Sequence, residues 1–233
     1  MAAERFHVDR AERTAALAQA IAGQLTAAVA ERGAASLIVT GGSTPAPLYD
    51  ALAHLPVPWA QCHITLTDER WVSPEAAASN ERLVREHLLV GQAASAHLTA
   101  LKTDAPSPED AAEAVDAALT ALPRPFDVVI LGMGDDGHIA SLFPHAPELE
   151  RALDRSRPAL VTPIHRPGAA GSPDRLSLTL RALLDARLIA VLIDGEAKRD
   201  VYRRALDAGD AGDLPVRAIL HQDLVPVEIW WAP

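Results

Sequence analysis

The sequence contains one cysteine and no long hydrophobic run. Cys62 is the only cysteine among the 233 residues, which excludes an intramolecular disulfide and a zinc site built from several cysteines. The longest apolar runs, such as 188–193, are far shorter than the roughly 20 residues that span a bilayer. The first ten residues carry charges where a secretory signal peptide needs an apolar stretch. We therefore expect a cytoplasmic protein.

Positive charge is also scarce. The chain has 21 Lys and Arg against 31 Asp and Glu, a net charge of −10. Nucleic acids and anionic membranes are bound by a basic face, so we expect neither as a partner. An anionic small molecule would need a local group of cations, because salt screens charges beyond about 8 Å. The nine histidines show no H-E-x-x-H or similar spacing, and we predict no metal site.

Short apolar segments alternate with helical patterns along the chain. This alternation predicts βαβ units, and therefore a mostly parallel sheet flanked by helices on both faces, in one α/β domain over residues 1–233. Gly33 is predicted to end the first helix, while Thr44 and Asn80 are predicted to cap the next two. The predicted strands are 36–40, 63–67, 126–131, 159–162, 176–180, 188–193 and 227–231, and the predicted helices are 9–32, one that begins at Pro45, 80–87, 107–122 and 196–206.

The first strand-to-helix turn, Gly41-Gly42-Ser43-Thr44-Pro45, has the composition of a phosphate-binding turn. Two glycines let the backbone approach an anion, and the N-terminus of the next helix presents free N–H groups and a partial positive charge. Ser43 and Thr44 add hydroxyl donors. An ordinary tight turn with a helix cap would have the same composition, so the turn alone leaves both interpretations open.

The second strand is followed by Thr67-Asp68-Glu69-Arg70-Trp71, which places two carboxylates beside a guanidinium. An arginine here can bind a phosphate or stabilise a developing oxyanion, and a carboxylate can orient it. The alternative is a solvated charge cluster at the end of a strand.

The segment Gly132-Met133-Gly134-Asp135-Asp136-Gly137-His138 fits the pattern G-x-G-x-x-G after a strand. We reject a dinucleotide site, because the two aspartates would repel a pyrophosphate and Pro144 interrupts the helix that should follow. Acid–base chemistry suits the segment better. Histidine is the side chain whose ordinary charge change lies near neutral pH, and Asp136 can fix the tautomer of His138, although a lone histidine can also be purely structural.

Two further cations lie near predicted strand ends. Arg175 immediately precedes the strand 176–180, and Lys198 lies in the first turn of the helix 196–206. Each would ordinarily be a surface charge. A lysine near a helix N-terminus opposes the helix dipole, and a bound anion would remove that cost. The Pro-, Gly- and Arg-rich segment 155–174 is expected to be an irregular surface excursion.

Together, these motifs resemble the 6-phosphogluconolactonase family over almost the whole chain. The resemblance is carried by the turn 41–45, the segment 67–71, residues 132–144 ending in Ile-Ala-Ser-Leu-Phe-Pro, Arg-Leu-Ser-Leu-Thr-Leu at 175–180 and Gly-Glu-Ala-Lys-Arg-Asp at 195–200. Such a resemblance implies a Rossmann-like fold, shared with glucosamine-6-phosphate deaminases. Those deaminases carry Asp-Glu-Tyr in the second segment and Phe-Asn-Glu-Pro after the histidine segment, whereas this chain has Asp68-Glu69-Arg70-Trp71 and Leu142-Phe143-Pro144.

The resemblance implies hydrolysis of 6-phospho-D-glucono-1,5-lactone without a cofactor. His138 would be the general base and Asp136 would orient it, while Arg70 would stabilise negative charge with Asp68 holding it in place. Gly41, Gly42, Ser43 and Thr44 would bind the phosphate, with Arg175 and Lys198 as cationic partners. The alternatives are a deaminase-type isomerase and a non-catalytic sugar-phosphate sensor. We expect a monomer or weak homodimer.

Overall fold

The computed structural model describes residues 2–233. Within that range the strands β1 to β10 span Ala3–Phe6, Ala35–Val39, Cys62–Leu66, Asp68–Arg70, His97–Leu98, Val128–Gly132, Val161–His165, Asp174–Leu178, Ile189–Asp194 and Val227–Ala232. The helices α1 to α8 span Arg10–Arg32, Ala46–Ala53, Asn80–His87, Pro108–Thr120, Leu149–Leu153, Leu180–Leu183, Gly195–Leu206 and Arg217–Leu220.

Seven strands form one parallel sheet in the order β1-β10-β9-β6-β2-β3-β5. From the neighbouring strands β2 and β6 the chain proceeds toward opposite edges of the sheet. This point, where the direction of winding reverses, opens a crevice beyond the carboxyl ends of the strands, which is where α/β sheets bind their ligands. The predicted α/β fold with a mostly parallel sheet flanked by helices is confirmed.

The central strands are apolar because both faces of the sheet are covered. All five residues of β2 are buried, as are the first four of β6. Runs of this kind, without polar alternation, are typical of parallel strands between helix layers. The buried apolar side chains of both sheet faces belong to one continuous cluster.

The residues at both ends of helix α1 determine where the helix begins and ends. The Asp9 carboxylate accepts the backbone N–H of Glu12 at the start, and Gly33 ends the helix with φ +78° and an N–H bond to the Val29 carbonyl. The predicted role of Gly33 is confirmed. The two other predicted caps are wrong: Ser79 rather than Asn80 caps α3, and α2 begins at Ala46 without a side-chain cap.

A second, three-stranded antiparallel sheet has the order β4-β8-β7. The prediction that 67–71 is a loop and that 155–174 is irregular was wrong in part, because β4 and β7 lie in these segments. The polar residues of β4 conceal it from a pattern based on hydrophobicity, whereas β7 overlaps the predicted strand 159–162 and is shifted toward the C-terminus. The register of β4 and β8 pairs Arg70 with Arg175, and so places two guanidinium groups side by side beneath the crevice.

Cys62 begins β3 and is fully buried at the amino end of the sheet. Burial raises the pKa of its thiol to about 12. Among residues 2–233 no helix is both long enough and apolar enough to cross a membrane.

Candidate active site

A cavity of about 260 Å³ lies at the carboxyl ends of β2 and β6. Of the ten site residues predicted from the sequence, nine line it, and the tenth, Asp136, is bonded to one of the nine. The lining residues predicted from the sequence are Gly41, Gly42, Ser43, Thr44, Asp68, Arg70, His138, Arg175 and Lys198.

His138 follows the carboxyl end of β6 and is held by Asp136. Oδ1 of Asp136 lies 2.6 Å from the ring Nδ1 of His138 and also accepts its backbone N–H at 3.1 Å. The pair requires a glycine at position 134, because a Cβ there would lie 2.1 Å from the ring Nδ1. Phe143 packs against the imidazole, with ring centroids 4.6 Å apart. The ring is therefore fixed in orientation.

The hydrogen bond to His138 lowers the pKa of Asp136 to about 2. Asp136 is consequently a carboxylate at neutral pH and favours the tautomer of His138 that carries its proton on Nδ1. Nε2 has no hydrogen-bond partner among residues 2–233, and His138 lines the cavity. The arrangement suits a general base that takes a proton at Nε2.

The turn 41–44 connects β2 to α2 and forms another wall of the cavity. Gly42 has φ +95°, a backbone conformation that favours glycine. Lys198 is the fourth residue of α7 and lines the same cavity. The turn, the helix N-terminus and the lysine offer backbone N–H groups, hydroxyls and a cation, which together suit a phosphate.

Arg70 ends β4 at the side of the cavity. Its Nη1 donates to the Ala78 carbonyl at 2.6 Å, and its Nη2 has no protein partner among residues 2–233. The expectation that Asp68 holds Arg70 does not match the geometry. Asp68 instead accepts hydrogen bonds from the hydroxyls of Ser141 at 2.5 Å and Thr67 at 3.0 Å.

The interpretation of this segment as a solvated charge cluster is wrong. Asp68 is 5% exposed and Glu69 is fully buried. The Glu69 carboxylate accepts the backbone N–H groups of Arg70, Asn80 and Glu81 at 2.7–2.8 Å. Burial raises the pKa of Glu69, while these three donors act in the opposite direction. The carboxylate therefore clamps β4 to the start of α3.

Arg175 is almost fully buried beneath the cavity. Its guanidinium donates to the backbone carbonyls of Ser172 and Ala170, and its Nη1 lies 3.4 Å from Ser141 Oγ and 3.9 Å from Asp68 Oδ2. Burial lowers its pKa, and the charge of Asp68 opposes that shift. Arg175 thus places a positive charge under the cavity with several of its N–H groups already in use.

Sequence reasoning missed several residues of this site. Asn80 lines the cavity, and Ser141 bridges Asp68 and Arg175. Ala140 lines it with φ +49°, which is unusual for a residue other than glycine. Ser141 lies within the motif 132–144 and could have been predicted as a site residue. No pattern in the sequence indicates that Asn80 lies close to Gly41. Residues 2–233 contain no group of three or more His, Cys, Asp or Glu placed to hold a metal ion.

A parallel α/β sheet with a cationic, glycine-lined cavity at its switch point defines a class of protein that binds anionic small molecules beside a potential general base. Comparison with known proteins identifies the family. The family model described as glucosamine-6-phosphate isomerases/6-phosphogluconolactonase matches residues 8–231. The chain belongs to this family.

Curated relatives cover nearly the whole chain. A 6-phosphogluconolactonase of Mesorhizobium japonicum is 44% identical over 97% of this chain and 93% of its own length. One of Caulobacter vibrioides is 46% identical over 93% of this chain and 91% of its own length. The crystal structure of a 6-phosphogluconolactonase from Shewanella baltica superimposes with a TM-score of 0.96 at 42% identity, covering 100% of this chain and 98% of that one.

A monomeric glucosamine-6-phosphate deaminase has a TM-score of 0.74 at 19% identity, which shows a shared fold only.

Proposed function

We propose that this protein hydrolyses 6-phospho-D-glucono-1,5-lactone to 6-phospho-D-gluconate. The observation that carries the proposal is that the oriented His138, the guanidinium of Arg70 and the 41–44 turn with Lys198 line one cavity. The similar proteins from Mesorhizobium japonicum and Caulobacter vibrioides, both named 6-phosphogluconolactonase, support the choice of substrate.

His138 acts as the general base in this proposal. Its Nε2 takes a proton from a water molecule, whose oxygen attacks the lactone carbonyl, while Asp136 stabilises the resulting imidazolium. Arg70 stabilises the negative charge that forms on the carbonyl oxygen, using the N–H groups of Nη2. The bond between the carbonyl carbon and the ring oxygen then breaks. The imidazolium holds a proton that the ring oxygen can take up.

The phosphate binds at the other wall of the cavity. Gly41, Gly42, Ser43 and Thr44 supply N–H groups and hydroxyls, and Lys198 supplies a positive charge. Arg175 contributes mainly its positive charge rather than hydrogen bonds to the phosphate, because its guanidinium already donates to two backbone carbonyls. Asp68 holds Ser141 and Arg175 rather than Arg70. A lactone is an activated ester, so a base and an oxyanion stabiliser suffice, and we propose no cofactor.

A coupled assay with freshly generated lactone tests the proposal. Hydrolysis above the spontaneous rate, measured as formation of 6-phosphogluconate, is the expected result. Ammonia release from glucosamine 6-phosphate would instead indicate a deaminase, and binding of 6-phosphogluconate without turnover would indicate a sensor. Either outcome would overturn the proposed reaction.

We also propose a single domain over 1–233, a monomer or weak homodimer, and a cytoplasmic location. The continuous hydrophobic core supports the first of these. One cooperative unfolding transition, the molar mass from light scattering and cell fractionation test the three in turn.

A further inference from the structure

Asn80 is a polar side chain in the cavity wall that the proposed chemistry does not use. It is the first residue of α3 and the only asparagine in the sequence. Only 2% of its surface is exposed, and it lines the cavity together with Gly41 and Asp68. A buried amide beside a ligand site needs partners for its polar atoms, because an unsatisfied buried group is destabilising.

The orientation of the amide follows from its neighbours. Nδ2 of Asn80 donates to the backbone carbonyl of Asp68 at 2.8 Å. Because a carbonyl can only accept, the NH₂ group faces Asp68 and the amide oxygen faces the other way. That oxygen lies over Gly41, where a Cβ would be 1.8 Å from it. Glycine at position 41 thus makes room for the Asn80 oxygen at the edge of the 41–44 turn.

The amide oxygen is an acceptor without a protein donor. Among residues 2–233 no N–H or O–H group donates to Oδ1 of Asn80. The oxygen is not completely enclosed by the protein and keeps a small accessible surface. Since the residue lines the cavity, a ligand in that cavity can supply the missing donor.

The backbone that carries this side chain is fixed by Glu69, and the side chain itself is bonded to Asp68. The backbone N–H of Asn80 donates to Glu69 Oε1 at 2.8 Å, and that of Glu81 donates to Oε2 at 2.7 Å. Ser79 caps the same helix and donates to Glu69 at 3.0 Å. A group fixed in this way loses little conformational entropy on binding, which favours its use in recognition.

The surrounding charges determine which ligand group fits. Lys198 and Arg175 line the cavity and suit the phosphate, while a carboxylate at position 80 would repel that phosphate across the 41–44 turn. An amide oxygen offers an acceptor without a charge. It therefore suits a neutral donor, and the neutral donors of a phosphorylated sugar are its hydroxyls.

We propose that the amide oxygen of Asn80 accepts a hydrogen bond from a sugar hydroxyl and makes Asn80 a specificity-determining residue. This inference rests on the proposed function for the identity of the ligand. A site built to hydrogen-bond a hydroxyl discriminates against an analogue that lacks it, since the protein group is then left unpaired. One such bond corresponds to about a tenfold difference in affinity.

Binding of 6-phosphogluconate and its 2-, 3- and 4-deoxy analogues, measured by calorimetry, tests the proposal. We expect the unaltered protein to bind one analogue about tenfold more weakly than 6-phosphogluconate. Asn80→Ala should bind 6-phosphogluconate about tenfold more weakly and lose that discrimination. Asn80→Ser, which keeps a small polar group near Asp68, serves if the alanine variant does not fold.

Ser79→Ala is the matched control. Ser79 caps the same helix and bonds to Glu69, but it is not a cavity-lining residue. This variant should lose stability and retain the discrimination. Full discrimination in Asn80→Ala or Asn80→Ser would overturn the role of Asn80. Turnover of the lactone by the unaltered protein is measured separately, so a failure of the proposed reaction is distinguished from a failure of this inference.

Discussion

Both ends of the parallel sheet contain buried carboxylates, but the groups that stabilise these carboxylates differ between the two ends. At the amino end, Asp127 immediately precedes β6 and is 1% exposed. It is paired with Arg32, lies 3.6 Å from Arg187, and accepts the backbone N–H of Ser36 at 2.8 Å. Arg187 also pairs with Glu31 and lowers its pKa. The cations at this end are engaged by the protein itself.

At the carboxyl end, Asp68 and Glu69 are held mainly by hydroxyls and backbone N–H groups. Lys198 has no carboxylate within salt-bridge distance among residues 2–233, and Arg70 bonds to a backbone carbonyl. Lys198 and the Nη2 group of Arg70 therefore remain available to a ligand. Arg175, by contrast, lies 3.9 Å from Asp68, and Arg13 is paired with Asp194 at the end of β9. A protein with a net charge of −10 can thus keep a local anion site, because Lys198 and Arg70 are not paired with a carboxylate there.

Replacing the base at the carboxyl end should have the largest effect. We expect His138→Ala to lower kcat by about 10²–10⁴ with little change in KM, since general-base catalysis contributes that much. The coupled lactone assay, corrected for spontaneous hydrolysis, measures it. His54→Ala is the control, because His54 is exposed and is not among the cavity-lining residues. Unchanged turnover in His138→Ala would remove His138 from the mechanism.

Breaking the ion network at the amino end should affect stability and leave activity intact. Asp127→Ala leaves Arg32 without its buried partner and should lower the free energy of unfolding by about 3 kcal/mol. Urea denaturation measures this loss. Asp185→Ala at the same end removes a pair with Arg124 that is partly exposed, and should cost less than about 1 kcal/mol. A changed KM in folded Asp127→Ala would contradict the separation of the two ends.

The two lysines of the chain form a matched pair for testing the phosphate site. Lys198→Ala should weaken binding of 6-phosphogluconate about tenfold, because it removes a charge-assisted hydrogen bond. Lys102 stacks on Trp71 with its ammonium 4.3 Å from the ring centroid, and it is not a cavity-lining residue. Lys102→Ala should leave the dissociation constant unchanged. Equal affinities of the two variants in calorimetry would exclude Lys198 from phosphate binding.

The smallest effect concerns acid stability. The folded pKa of Asp136 is lowered to about 2, below the unfolded value near 4. Its contribution is therefore fully present above pH 4 and is lost as the pH falls toward 2. Asp136 is 46% exposed, so screening limits the contribution to about 1 kcal/mol at most. Denaturation of the unaltered protein and Asp136→Asn should show a stability difference that shrinks between pH 4 and pH 2, whereas a constant difference would contradict it.

Five strands of the parallel sheet could be predicted from the sequence because they are predominantly apolar runs between helices, whereas the edge strands β1 and β5 were missed. β2, β6 and β9 fall within two residues of their predicted bounds. In the small sheet the polar β4 escaped detection, whereas the predictions 159–162 and 176–180 overlap β7 and β8 but are shifted by two or three residues. The Arg70–Arg175 pairing depends on antiparallel register, which a pattern of single segments does not encode.

The convergence of the three motifs followed from the parallel fold, because the carboxyl ends of neighbouring strands meet at one edge. Contacts within the site were less predictable. Adjacency in sequence suggested that Asp68 orients Arg70. The two side chains do lie on the same face of β4, but Asp68 accepts a hydrogen bond from Ser141, which lies far away in the sequence. Likewise, the contact between Asn80 and Gly41 depends on the tertiary position of α3, whose start is hydrogen-bonded to Glu69.

The single thiol of Cys62 allows the rate of local opening at the amino end of the sheet to be measured. Cys62 has no exposed surface and a pKa near 12, so a reagent that attacks thiolates cannot modify it in the closed protein. Modification requires a local opening that exposes the start of β3. The rate of thiol modification, measured by mass spectrometry, therefore reports local opening of the native protein without an engineered label.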